Sequence, residues 1–270
     1  MPKSLVYLGH VKRLNEYCIE NAVTTITEQV AEDFLEDLKT KRAGRTVNHI
    51  RRTLSELFHK MLKKKEVKRN PFANTERAPT KRAFSEHWSD EDVAAIMQRV
   101  REIKPQLELP ILVILHCATR NGKEMPNLKV KDVDFKRKTL WMDEAFSKNH
   151  ERESVTIPAS LMRILKEKNI QACNPEYYLF TKSGVPGPSK FGKAYLNNHF
   201  KEILRDLDID VKGKGFYRLK NSLAVKLVKA NANQFAIQKQ FRHKSIKTTE
   251  CYLASLSVKD FTELDDFSFF

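Results

Sequence analysis

Apolar side chains recur at the spacing of an amphipathic helix in three stretches of the first 75 residues. These stretches cover residues 5–18, 30–38 and 47–62. Thr27 is placed to cap the second of them, and the pair Asn70-Pro71 is typical of a helix end. The pattern therefore predicts an all-helical unit over residues 1–75.

Residues 76–88 are polar, basic and interrupted by Pro79, which is the composition of a linker. Ser89 and the acidic residues after it form the cap of a new helix, so a second domain is predicted to begin there. Helical periodicity in this domain is interrupted by β-rich stretches near residues 139–143 and 154–157. Its predicted helices lie near residues 90–103, 109–118, 160–169, 190–206, 219–230 and 233–241.

The charge of the chain indicates a polyanionic partner. The 270 residues carry a formal charge of +15, and the pI is about 9.6. Nucleic acid is the first candidate, because neutralised phosphates supply most of the non-specific affinity for DNA. A membrane is the weaker candidate, since no apolar run reaches the roughly 20 residues that span a bilayer. The amino terminus lacks a signal-peptide pattern, so we expect a cytoplasmic, nucleoid-associated protein.

Basic side chains are concentrated near the amino terminus, where residues 1–84 contain 18 Lys and Arg against 10 Asp and Glu. Many lie on the third predicted helix, opposite its apolar face. Such a stripe is either a solvated surface or a face that enters a DNA groove. The candidate DNA contacts on this helix and in the linker are Arg45, Asn48, Arg51, Arg52, Lys81 and Arg82.

The sequence predicts neither a metal site nor a cofactor. Its four cysteines have no C-x-x-C spacing, so they also predict no disulfide framework. Carboxylates that could hold Mg²⁺ do not cluster either. Cys251 is interpreted as a small buried residue rather than a nucleophile.

Residues 241–253 read FRHKSIKTTECYL, with His243 and Tyr252 nine positions apart. This segment resembles the carboxy-terminal box of the tyrosine recombinases, the phage-integrase family, which reads roughly G-H-x-S-I-x-T-T-x-x-Y. The resemblance implies that Tyr252 attacks a DNA phosphate and that His243 donates to a phosphoryl oxygen. The chemistry needs a nucleophile that forms a phosphate ester, with cations around the developing charge. Further DNA contacts implied in this box are Arg242, Lys244 and Lys247.

A second resemblance to this family lies upstream, where Arg120 ends an apolar helix and is followed by Glu124 and by NLKVKDVDF at 127–135. It implies that Arg120 is the first phosphate-binding Arg, because its planar fork suits two oxygens. The family usually spaces this Arg and Glu by three residues, whereas the gap here is four. Either Gly122 absorbs the extra residue or Asn121 takes the place of the Arg. We favour the first, because the preceding apolar run then keeps its phase.

Two lysines take further positions in the family pattern. Lys148 lies between the two β-rich stretches and resembles the hairpin Lys that protonates the leaving 5′ oxygen. Where the family writes H-x-L-R-H, this chain reads YRLKN at 217–221, so Lys220 stands where an Arg is usual. Lys keeps the positive charge but lacks the bidentate geometry. We expect Arg218 to contact the DNA backbone.

Together these boxes imply an α+β fold of the tyrosine recombinase type. It comprises an all-helical core-binding domain over residues 1–75, a linker over 76–88, and a mainly helical catalytic domain with a small antiparallel sheet over 89–256. The apolar tail, residues 257–270, is expected to pack on a neighbouring protomer.

The implied activity is site-specific recombination of double-stranded DNA through a 3′-phosphotyrosyl intermediate. The resemblance implies that the protein acts as a homo-oligomer, expected to be a tetramer in synapsis, without a metal or a nucleotide. The alternative is a DNA-binding protein of the same fold that has lost cleavage and acts as an accessory or replication factor. The departures at the two arginine positions support this alternative.

Overall fold

The computed structural model describes residues 3–80 and 85–256. The chain forms two compact units, Met1–Ala83 and Phe84–Phe270, each with a hydrophobic core. Lys81, Arg82 and the tail at 257–270, for which DNA binding and protomer exchange were predicted, lie outside the described residues.

Helices are the only regular elements among the described residues of the first unit. They are α1 (Lys3–Glu20), α2 (Glu28–Lys41) and α3 (Gly44–Lys63). The Thr27 hydroxyl caps α2 by accepting a hydrogen bond from the Val30 amide, which satisfies one of the free amides of the first turn. Apolar positions of all three helices, such as Leu14, Phe34 and Ile50, face a common core.

Two polar residues of α3 hold the segment that follows this helix. The Asn48 side chain donates to the Ala78 carbonyl at 2.8 Å and accepts from the Ala78 amide at 2.9 Å. Arg51 donates to the Thr75 carbonyl at 3.0 Å. Asn48 and Arg51 thus make contacts inside the unit, although Arg51 Nε has no hydrogen-bond partner. Their predicted DNA contacts stay predictions.

The second unit is mainly helical with a small antiparallel sheet, which confirms the predicted fold class. Ser89 and Asp92 form a capping box at its first helix. The elements are α4 (Asp90–Ile103), α5 (Glu108–Cys117), β1 (Val133–Asp134), β2 (Thr139–Met142), β3 (Glu153–Thr156), α6 (Ala159–Glu167), α7 (Tyr195–Asp206), α8 (Arg218–Lys229), α9 (Gln234–Phe241) and α10 (Ile246–Leu253).

The sheet has the order β1-β2-β3, and Leu140 on the central strand is paired with Val133 and Val155. All three side chains are buried, so this face of the sheet packs on the core. Strands β2 and β3 match the two predicted β-rich stretches. Their connection at 143–152 carries Lys148.

One helical boundary differs from the sequence prediction. Helix α7 begins at Tyr195 rather than near residue 190. Phe191 precedes it in a non-helical conformation, is buried, and stacks between Phe180 and Tyr195. Burial of this ring in the core outweighs the local helical periodicity.

A separate apolar cluster supports the carboxy-terminal helices. It joins α8 and α9 to the end of α5, and Tyr252 packs against it. The Ser85 amide donates to the Ser255 carbonyl, which ties the end of α10 to the start of this unit. The buried members of the cluster are Ala118, Leu223, Ala224, Val225, Ile237, Phe241 and Leu256.

Candidate active site

Arg120 follows helix α5 and is positioned by a sharp turn at the carboxyl end of this helix. Ala118 adopts the left-handed conformation directly after the helix, with φ of 49°. The Arg120 amide donates to Oε2 of Glu124 at 2.8 Å, and Arg120 Nη1 donates to Oε1 at 2.6 Å. Of the two registers that the sequence allowed, the structure therefore has Arg120 as the partner of Glu124.

Glu124 has a second guanidinium partner, which comes from the end of α9. Arg242 Nη2 donates to Glu124 Oε2 at 2.8 Å, and the two side chains are only 3% and 1% exposed. In this structure the Arg242 guanidinium therefore faces a buried carboxylate, and its predicted DNA contact stays a prediction.

The paired guanidiniums keep Glu124 charged. Burial alone would raise the pKa of Glu124, but the charge and hydrogen bond of Arg242, and then those of Arg120, outweigh it. The pKa of Glu124 is therefore held below its ordinary value. The negative charge of Glu124 also acts on Lys220 and Tyr217, and it favours a higher pKa for each of them.

Lys220 is buried near the start of α8. Its Nζ donates to the Ala118 carbonyl at 2.7 Å and lies 5.0 Å from the centre of the Phe241 ring. Burial, followed by the charges of Arg120 and Arg242, lowers the pKa of Lys220 well below its ordinary value. The ammonium is thus held close to the Arg120 turn, in surroundings that disfavour its charge.

Tyr252 lies on α10, a helix that periodicity did not predict and that Ser245 caps. Its hydroxyl donates to Oδ1 of Asn221 at 2.7 Å, and Asn221 in turn donates to the Glu86 carbonyl at 2.8 Å. Burial, with a smaller effect of Tyr217, raises the pKa of Tyr252. The phenol is therefore fixed in position and remains protonated.

His243 lies beside this phenol. Its ring centre is 5.5 Å from that of Tyr252, and its Nδ1 is 2.9 Å from the Thr249 hydroxyl. Burial, and then nearby cations led by Lys220, lower the pKa of His243 to about 4. The imidazole is neutral at pH 7. When Nδ1 accepts from Thr249, Nε2 carries the proton and can donate it.

Lys148 lies in the connection between β2 and β3, and the residues on both sides of it are anchored. The Ser147 hydroxyl donates to Glu153 Oε2 at 2.8 Å, and Asn149 Nδ2 donates to Glu153 Oε1 at 2.7 Å. Lys148 itself is exposed. Its charge contributes to the low pKa of His243, so the lysine acts electrostatically on the same site.

The remaining candidates differ in exposure. Arg218 Nη2 pairs with Glu86 at 2.8 Å, and its guanidinium lies 4.6 Å from the centre of the Trp88 ring, while its Nε and Nη1 have no hydrogen-bond partner. Its predicted DNA contact stays a prediction. Lys244 and Lys247 are exposed, and Lys244 forms a surface pair with Glu151.

Sequence reasoning missed the roles of Asn221, Glu153 and Arg242. For Arg242 a signal was present, since it occupies the position where the family box has Gly. A similar signal was present for Asn221, which stands where the family pattern H-x-L-R-H ends in His. Glu153 gave no comparable signal, because the residues that it anchors lie in the connection before its strand.

A cavity of about 590 Å³ borders the site and is lined by residues that include Arg242, His243 and Glu153. A larger apolar cavity of about 690 Å³ is lined by α8, α9 and α5 and by none of the five predicted catalytic residues.

Across residues 3–80 and 85–256, no group of three or more His, Cys, Asp or Glu could hold a metal ion. Over the same residues, no helix has the length and apolar character needed to cross a membrane.

Residues 86–258 match the phage integrase family. The chain belongs to this family. It is 24% identical to the ICEBs1 integrase of Bacillus subtilis (strain 168), in an alignment of 266 residues that covers 88% of this chain and 69% of that integrase.

The fold of this phage integrase family member is similar to that of lambda integrase. A lambda integrase dimer bound to a COC′ core site aligns with a TM-score of 0.73 and 17% identity, over 92% of this chain and 90% of that one. A lambda integrase tetramer bound to a Holliday junction aligns with a TM-score of 0.70 and 18% identity, over 91% and 72%.

The buried carboxylate of this family member yields a prediction about stability and pH. Because the folded-state pKa of Glu124 is depressed, its stabilisation is present above the unfolded pKa of about 4.3 and is lost as pH falls through the folded pKa. Glu124→Gln should lower the free energy of unfolding at pH 7 by about 3–5 kcal/mol, since it removes the buried carboxylate that pairs with both Arg120 and the buried Arg242. The difference should shrink as pH falls below about 4.

Urea unfolding of both proteins between pH 7 and pH 3 measures this effect. Glu151→Gln is the matched control, because Glu151 is exposed and pairs only at the surface with Lys244. If the difference in the free energy of unfolding between Glu124→Gln and wild type stayed constant with pH, it would contradict the depressed pKa of Glu124.

Proposed function

We propose that this protein is a site-specific recombinase that cleaves and rejoins double-stranded DNA through Tyr252. One observation carries the proposal, namely the packing of the predicted groups around the Phe241 ring. The centre of this ring lies 5.0 Å from Lys220 Nζ, 5.8 Å from the His243 ring and 5.4 Å from the Tyr252 ring. Arg120 is held two residues from the carbonyl that accepts from Lys220.

Cleavage begins with attack of the Tyr252 oxygen on the scissile phosphorus. The new bond links the tyrosine to the 3′ phosphate, and the bond to the 5′ oxygen breaks. The raised pKa of Tyr252 keeps the phenol protonated beforehand, so it releases its proton to solvent water as the bond to phosphorus forms. Arg120, Lys220 and His243 donate to the phosphoryl oxygens as negative charge develops on them.

Lys148 is the general acid in this proposal. The leaving 5′ oxygen must gain a proton, and an exposed ammonium on a connection fixed at both sides can approach it. Rejoining runs the same steps in reverse, since the phosphotyrosyl bond conserves the energy of the phosphodiester.

We further propose that both units bind DNA. Arg45 and Arg52 are exposed on α3 of the helical unit, while Lys244 and Lys247 are exposed beside the site. The helical unit would be the core-binding domain and the second unit the catalytic domain. We propose action on DNA as a homo-oligomer, a tetramer in synapsis with the tail packed on a neighbour, in the cytoplasm and on the nucleoid.

Covalent trapping tests the nucleophile. A nicked suicide duplex that carries the native site, or DNA from the flanks of its own gene, should give a denaturation-resistant adduct with wild type. Tyr252→Phe should give none, because the attacking oxygen is missing, whereas Tyr178→Phe should react like wild type. Tight DNA binding by wild type without any adduct would refute cleavage and favour the accessory alternative.

A sulfur-substituted substrate tests the general acid. Lys148→Ala should slow adduct formation by about 10²- to 10⁴-fold on normal DNA. With sulfur at the bridging 5′ position the deficit should fall below about tenfold, because a thiol with a pKa of about 8.5 leaves without protonation. Lys136→Ala, which removes another exposed lysine, should show neither effect. Equal deficits on the two substrates would exclude Lys148 as the acid.

A further inference from the structure

Arg242 occupies a backbone position that suits glycine. It ends α9 in the left-handed conformation with φ of 55°, where a side chain is strained and glycine is not. The family box has Gly directly before its His, and this chain has Arg there. The side chain is nevertheless 3% exposed, so it points inward rather than into solvent.

The guanidinium of Arg242 lies between the carboxylates of Glu124 and Glu153. Each of these carboxylates positions a different cation. Its Nη2 donates to Glu124 at 2.8 Å, and Glu124 holds Arg120 through both oxygens. Its Nη1 lies 3.7 Å from Glu153 Oε2. Glu153 anchors the residues on both sides of Lys148.

Arg242 also shares a target with Lys220. Both donate to the Ala118 carbonyl, Lys220 at 2.7 Å and Arg242 at 3.4 Å. An ammonium is a point donor, whereas a guanidinium presents a rigid fork that can bridge several acceptors and stays charged when buried. Arg242 thus provides a guanidinium at the Ala118 turn, where Lys220 has only an ammonium.

We propose that Arg242 is a positioning residue for strand cleavage and replaces the arginine that the family has at position 220. It fixes the Arg120 turn through Glu124 and the Lys148 connection through Glu153, and its own backbone places His243. This inference rests on the proposed recombinase function. The positioning role differs from the DNA contact that the sequence predicts for Arg242.

Four proteins test whether Arg242 replaces the arginine that the family has at position 220. They are wild type, Arg242→Gly, Lys220→Arg, and the double variant, which restores the family pattern at both positions. The rate of adduct formation and the Kd for DNA are measured on the suicide duplex. Arg242→Gly should react about 100-fold more slowly, with a Kd within about threefold of wild type. The double variant should recover at least about tenfold of that loss. Lys239→Ala, which removes an exposed cation from the same helix, should react like wild type.

Reaction of Arg242→Gly within about threefold of wild type would overturn the inference, and so would a double variant no faster than Arg242→Gly. A loss of rate matched by an equal loss of DNA affinity would also overturn it.

If wild type forms no adduct, the proposed function fails, and urea unfolding of the same four proteins decides the inference separately. Lys220→Arg should then raise the midpoint of Arg242→Gly more than that of wild type, because the two residues share partners. Equal changes in the two backgrounds would overturn it.

Discussion

The buried charge of Glu124 is the constraint on which the rest of the site depends. A carboxylate with 1% of its side chain exposed stays ionised only if cations are brought to it. One comes from the turn after α5 and the other from the turn after α9, where Arg242 lies 118 positions from Glu124 in the sequence. Glu124 therefore joins Arg120 to Arg242. Since His243 follows Arg242 directly, the same pairing also determines where the imidazole lies.

The consequence of this assembly is a cluster of cations around Lys220 and His243. Burial, and then the charges of cations that include Arg120, Arg242 and Lys148, lower the pKa values of Lys220 and His243. A phosphate placed among these groups would relieve their repulsion and strengthen their donation. Tyr252 is neutral and bonded to Asn221. In the proposed mechanism the cations are therefore in place before the phenol ionises.

Sequence reasoning recovered the features that are local. Helical periodicity, the caps at Thr27 and Ser89 and the order of the family boxes led to the correct fold class. It could not recover features that depend on partners far along the chain, such as the bond from Asn48 to Ala78 or the burial of Arg242. A charged residue in a basic sequence gives no local sign of whether it faces DNA or a buried carboxylate.

Peptide mapping of the covalent adduct tests the central claim most directly. After trapping and digestion by nuclease and protease, mass spectrometry identifies the residue that carries the nucleotide and the end of the strand to which it is joined. We predict a 3′-phosphate ester on Tyr252. The neighbouring Cys251 is exposed, although the sequence predicts that it is buried. A nucleotide on Cys251, or a 5′ linkage on any residue, would contradict the account.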